Sequence, residues 1–282
     1  MSDVNGKIYI GTILLEPNRW AQVRTPTYRV SEWLGRFAEA GFDGVELWEY
    51  HATLASPSEL ASLEASPVPV AVFNTYCGFE DAAAGDRAKA VEMVRRLAAG
   101  GVKFNVGRDA DRREEYLRNL RAWAGELPEG CRLLCECHGG TILEQPPVAA
   151  EFFREAGIGR LQGIVHCLAG VAGLGEWFDR LGPAITHAHV ALRHDGRNAR
   201  LSACPAAVAE ALALMRRRGF AGSFTLEFTE GTREPGENIE SLWQAALDDL
   251  AFLRRQLSLP VRLHGRTPCE ALPDSLPPRN RR

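Results

Sequence analysis

Short apolar runs alternate with longer stretches of helical spacing along most of the chain. The apolar runs are KIYIGTIL (7–14), GVELW (44–48), VPVAVFN (68–74), VKFNVG (102–107), RLLCEC (132–137), LQGIVH (161–166), AITHAHV (184–190) and GSFTLEF (222–228). Most are rich in Val, Ile, Leu or Phe, as parallel strands covered on both faces should be. Between them, VSEWLGRFAEAGF places Val30, Trp33, Leu34 and Phe37 at i, i+3, i+4 and i+7, which predicts an amphipathic helix. The AGFDG that follows supplies a glycine stop before the second strand. DRAKAVEMVRRLAAGG puts Val91, Val94 and Leu97 on one face. CPAAVAEALALMRRRGFAG carries its arginines in the last turn, where they suit the helix dipole. NIESLWQAALDDLAFLRRQL is the last strong helical pattern.

Eight strand–helix alternations predict an α/β fold, a single closed (β/α)8 TIM barrel. An open doubly wound sheet is disfavoured, because no G-x-G-x-x-G follows the first strand. The barrel is expected over residues 1–257. From 258 to 282 the chain is Pro- and Arg-rich without periodicity, and an irregular tail is expected there.

Composition narrows the partners. The net charge of −3 offers no basic stripe for nucleic acid. No window reaches the roughly 18 apolar residues that span a bilayer, so no membrane partner is expected. Seven cysteines, none in a CxxC pair, and an N-terminus without a secretory leader fit reduced thiols and a cytoplasmic location.

In a barrel of this kind the chemistry sits at the C-terminal ends of the strands. The fifth strand ends at Glu136 with His138 just beyond. The sixth ends at His166, the seventh carries His187 and His189, and the eighth carries Glu227. Side chains alternate across a strand, so Glu136 is inward while Cys135 and Cys137 face the helices as small core hydrophobes. Phe224, Leu226 and Phe228 claim the helix side of the eighth strand, which leaves Thr225 and Glu227 inward. Glu136, His166, His189 and Glu227 would thus converge from four consecutive strands. A lone histidine ending a strand is more often a hydrogen-bonded structural residue than a ligand. Four such residues in succession point instead to one divalent metal ion. Two imidazoles and two carboxylates suit Mn, Co, Fe or Zn better than Mg, and two carboxylates offset the charge of a buried dication.

Other polar residues fall near the same mouth. Glu46 and Trp48 share a face of the second strand, with Glu49 and His51 beyond it. Asn74 ends the third strand; Asn105, Arg108 and Asp109 end the fourth; Arg193 and His194 follow the seventh. His138, Glu49, His51, Asn74, Arg108 and Arg193 are the candidate substrate contacts, with the arginines suited to a phosphate or carboxylate.

GFDGVELWEYH, LLCECHGGT, ITHAHV and GFAGSFTLEF together resemble the xylose-isomerase-like barrel superfamily, the group of sugar phosphate isomerases and epimerases, over residues 7–256. The resemblance implies metal-binding roles for Glu136 in E-x-H-G-G, for His189 in H-x-H and for Glu227 on the eighth strand. One departure stands out. The family's sixth strand ends in D-x-x-H, and here the stretch is His166-Cys167-Leu168-Ala169. His166 can still bind metal, whereas Ala169 replaces a histidine that contacts substrate in the epimerases. The resemblance implies a metal-dependent isomerase or epimerase acting on a small carbohydrate, with Glu136 and Glu227 as catalytic carboxylates. A dehydratase or lyase acting on a keto-sugar or inosose is the runner-up, and a non-catalytic sugar-binding barrel is a third reading. Barrels of this type often form homo-oligomers, although no stretch here identifies an interface. The apurinic-site endonucleases of the group need extra histidines from the second and third strands, and FNTYCGFED offers none.

Overall fold

The computed structural model of the protein describes residues 6–258. Eight parallel strands close into a barrel: β1 (Ile8–Gly11), β2 (Val45–Trp48), β3 (Val70–Asn74), β4 (Gly101–Phe104), β5 (Arg132–Glu136), β6 (Leu161–His166), β7 (Ile185–Val190) and β8 (Ser223–Leu226). Each strand pairs with its sequence neighbours, and β8 pairs with β1 to complete the circle. The fold is the expected (β/α)8 barrel. The expected tail lies outside the described residues except for Ser258, which still belongs to the last helix, Ile239–Ser258. Among the described residues no helix is long and apolar enough to cross a membrane.

Most strands are shorter than their apolar runs. The first run leaves the sheet at Thr12, where a 3-10 turn over Thr12–Leu15 begins. The eighth stops at Leu226, so Glu227 stands just past its end. The first amphipathic stretch starts as a 3-10 turn, Val30–Glu32, and becomes helical only over Leu34–Ala40. It ends as its glycine dictates. Gly41 adopts φ 97°, and its N–H returns to the Ala38 and Phe37 carbonyls.

The core has two shells. Between strands and helices lies a large apolar layer that includes Cys135, with Cys137 packed against it. Inside the barrel, Tyr9, Ala71, Val72, Leu134 and Ile164 form a small plug below the mouth. Packing at the foot of β8 is close enough to need a glycine: a Cβ on Gly222 would lie 2.0 Å from the Thr186 carbonyl oxygen.

An unforeseen hairpin follows β7. Leu192–His194 pairs antiparallel with Arg197–Ala199. Its two-residue turn is Asp195-Gly196, with φ of 49° and 75°, the left-handed pair that a tight hairpin favours.

Candidate metal centre

The inward parity of β5 to β8 assembles the site. Thr225 is level with His189, and His189 with His166. A register shift at Gly163/Ile164 sets Ile164 opposite His187, so both β7 histidines meet the inward face of β6. Glu136 closes β5 one step away, opposite Ile164.

Glu136, His166, His189 and Glu227 each bring a ligand atom to one place, all within 4.8 Å of one another. Glu136 Oε1 lies 2.9 Å from His166 Nε2 and 3.1 Å from His189 Nδ1. Glu227 Oε2 is 3.6 Å from His189 Nδ1 and 3.8 Å from His166 Nδ1. The cluster is closed below and open above: the His189 side chain is 0% exposed and that of His166 33%.

A second layer surrounds it. Lys103 Nζ sits 2.7 Å from Glu136 Oε2, and Asn105 Nδ2 donates to the same oxygen at 2.9 Å. Behind His189 stands Glu46, whose Oε2 is 3.2 Å from His189 Nε2 and 3.4 Å from His187 Nε2. Asn74 Nδ2 donates to Glu46 Oε1 at 2.9 Å. His187 is held by the hydroxyls of Ser223 and Thr225 at 2.8 and 3.0 Å.

The titration shifts follow from these contacts. Burial disfavours a charged Glu136, yet Lys103 and then the two histidines hold its carboxyl well below the usual range. Burial likewise opposes a charged His189, but Glu46 and Glu227 outweigh it and raise its pKa well above that of free imidazole. His166 is raised against burial by its hydrogen bond to Glu136. His187, where burial wins over Glu46, falls to about 4 and is neutral at pH 7. The four-residue cluster therefore concentrates negative charge that imidazolium protons offset. Two carboxylates and two imidazoles in this arrangement suit a divalent cation chemically.

The other expected site residues are dispersed. His138 is half-buried at the rim, its ring centroid 6.0 Å from that of His166. Asn74 is buried and serves Glu46, and its Oδ1 has no partner. Glu49 accepts from Thr75 Oγ1 and Tyr76 N, clamping the segment after β2 to that after β3. His51 is turned away from the cluster and buried, its ring bound to Thr12 Oγ1 at 2.9 Å and Glu16 Oε2 at 3.1 Å. Arg108 is exposed. Arg193 is exposed on the hairpin and donates to the Gly196 carbonyl at 2.9 Å. Ala169 lies exposed in the turn after β6.

Sequence reasoning passed over Lys103. The signal was there: in VKFNVG it shares a face with Asn105, and a lysine inside a strand covered on both sides needs a buried partner.

No family profile and no curated protein matches the chain. Solved structures share its fold at low identity. It is similar to the 3-keto-D-glucoside 4-epimerase YcjR from E. coli, with a TM-score of 0.65 and 16% identity over 89% of this chain and 99% of that one. It is similar to the probable 3-DHS dehydratase AsbF from Bacillus anthracis, with a TM-score of 0.63 and 16% identity over 87% of this chain and 98% of that one. An L-ribulose 3-epimerase matches with a TM-score of 0.65 and 13% identity over 89% and 94%. The fold is that of the xylose isomerase-like TIM barrels.

Proposed function

We propose that the protein is a divalent-metal-dependent isomerase or epimerase of a sugar or sugar-like hydroxy-ketone. The observation that carries this reading is the convergence of Glu136, His166, His189 and Glu227 at the mouth of the barrel, with ligand atoms within 4.8 Å of one another. These four residues would hold one ion, and their mixed imidazole and carboxylate donors favour Mn, Co, Fe or Zn. A bound ion there would supply Lewis-acid polarisation of a substrate carbonyl and its neighbouring hydroxyl.

The chain's own groups would do the rest. Glu136 and Glu227 would lie on either side of a carbon next to that carbonyl, so that one would take its proton and the other return it. His138, half-buried at the rim near His166, is a candidate contact for a substrate hydroxyl. Asn74 Oδ1 is a buried acceptor without a partner, and Arg108 and Arg193 remain candidates for an acidic substituent. Expulsion of a hydroxyl in the second step would make the same site a dehydratase. That reading gains from the likeness to the probable dehydratase and from Ala169, which replaces the histidine of the resembling epimerases.

The test is metal content by elemental analysis, followed by exchange of substrate C–H protons in D2O across ketoses, inososes and keto-sugars. About one ion per chain, as four-ligand sites of this kind hold, with exchange lost in Glu136→Gln and Glu227→Gln, supports the reading. Full exchange in either Gln variant overturns the catalytic assignment. Loss of water in the product selects the dehydratase.

A further inference from the structure

We infer that Glu46 is a positioning residue that fixes His189 with Nδ1 toward the four-residue cluster and the Nε2 proton turned away from it. The inference rests on the metal-centre reading above and adds a residue that is not one of the four ligands.

Glu46 sits on β2, across the barrel from β7, and is 1% exposed. Its two oxygens have separate tasks. Oε1 accepts from Asn74 Nδ2 at 2.9 Å, and Asn74 is itself buried at the end of β3. Oε2 faces His189 Nε2 at 3.2 Å. A carboxylate accepts hydrogen bonds, so the nitrogen turned to it carries the proton. The other nitrogen, Nδ1, is the one turned to the cluster, 3.1 Å from Glu136 Oε1 and 3.6 Å from Glu227 Oε2, so an ion bound there would displace the proton on Nδ1 and leave the one on Nε2 in place. The imidazole is thus clamped between Glu46 on one edge and the cluster on the other. A carboxylate behind a histidine in this way sets its tautomer and ring angle and raises its basicity as a ligand.

By distance alone, Glu46, His187 and His189 could themselves hold an ion, since their ligand atoms also lie within 4.8 Å. The hydrogen bonding argues otherwise. His187 Nδ1 and Nε2 are both engaged by hydroxyls, Ser223 at 2.8 Å and Thr225 at 3.0 Å. All three residues are at most 1% exposed, below the mouth. The trio is a support beneath one metal site and not a second site.

The test uses the full-length protein and Mn2+ alone. Calorimetric titration of wild type should give about one Mn2+ per chain. Glu46→Leu should weaken binding by about 10–100-fold, and Glu46→Gln, which keeps an acceptor oxygen, by less. If the leucine variant does not fold, the glutamine variant carries the comparison. A second readout needs no variant: in Zn2+-loaded protein labelled with 15N-histidine, His189 should show a proton on Nε2 and none on Nδ1. A proton on Nδ1, or Mn2+ affinity unchanged in a folded Glu46 variant, overturns the inference and leaves the metal centre standing. Two ions per wild-type chain, with one lost in Glu46→Gln, would make Glu46 a ligand and overturn it as well. Wild type that binds no Mn2+ removes the metal centre and this inference together.

Discussion

Lys103 Nζ stands 2.7 Å from Glu136 Oε2, with both side chains buried inside the barrel. Asn105 donates to the same oxygen and accepts from Lys103 at 3.0 Å. Oε2 is therefore capped by two donors, while Oε1 is left to His166 and His189. Burial works against the ammonium, and Glu136 outweighs it, so the Lys103 pKa is raised. Lys103→Met would leave a buried carboxylate without its cation. Breaking such a pair costs about 3–5 kcal/mol, which in a barrel of this size lowers Tm by about 10 °C. Thermal melts of the metal-free variant measure the loss. Added Mn2+ should shrink it, because the ion supplies positive charge to the same carboxylate. A metal-free variant that melts like wild type would take Lys103 out of the charge balance.

The raised imidazoles predict a pH dependence with a definite sign. In the metal-free protein, burial opposes protonation of His189 and His166, and the carboxylates around them overcome it. Their folded-state pKa values lie above the unfolded value of about 6.5. Their stabilisation is fully present below that pH and is lost as pH rises through the folded values. A metal ion must displace the same protons, so its affinity rises over the same interval. The gap in Tm between Mn2+-loaded and metal-free protein should widen steadily from pH 6 upward, as scanning calorimetry would read. A gap independent of pH would mean that the histidines are already neutral without metal.

The barrel and the convergence of the four β5–β8 residues were readable in the sequence for one reason. Parallel strands covered on both faces give unbroken apolar runs, so each polar inward residue at a strand end stands out by parity. Glu136, His166, His189 and Glu227 are such residues. His51 was harder to place. Its direction depends on the 3-10 turn after β1, which brings Thr12 and Glu16 to its ring from 39 and 35 positions away in the chain. The contacts of Glu46 and Lys103 are equally non-local. One joins β2 to β7 across the barrel interior and the other joins the neighbouring strands β4 and β5, and alternation within one strand says nothing about which inward neighbour a side chain meets. The hairpin after β7 carried its Asp195-Gly196 turn signal, but its strands are only three residues each.

The His51 contacts make a separable prediction. Burial lowers its pKa despite Glu16, so the ring is a neutral bridge between Thr12 and Glu16. His51→Ala leaves Glu16 and Thr12 with unmet hydrogen bonds in the interior, a cost of about 1–3 kcal/mol. Denaturant unfolding should show that loss, while Mn2+ affinity stays at the wild-type value. A folded variant of normal stability that bound Mn2+ weakly would place His51 in the metal centre instead.

Asp249 ties two mouth segments to the last helix. It accepts from Leu201 N at 2.7 Å and from Thr229 Oγ1 at 2.6 Å, and Thr229 lies two residues beyond Glu227. Burial pushes its pKa up to about 6 against those two hydrogen bonds. With the folded value raised above the unfolded one, its contribution is fully present below the unfolded pKa and is lost as pH rises through about 6. Asp249→Asn keeps one acceptor oxygen and sets an N–H against the other donor, a cost of about 1–3 kcal/mol. The amide does not titrate, so only wild type loses stability across that interval. The difference in Tm between wild type and variant should therefore be larger at pH 5 than at pH 7.5. A difference that grows with pH would mean that the Asp249 carboxylate is stabilised in its charged form by a partner other than Leu201 and Thr229.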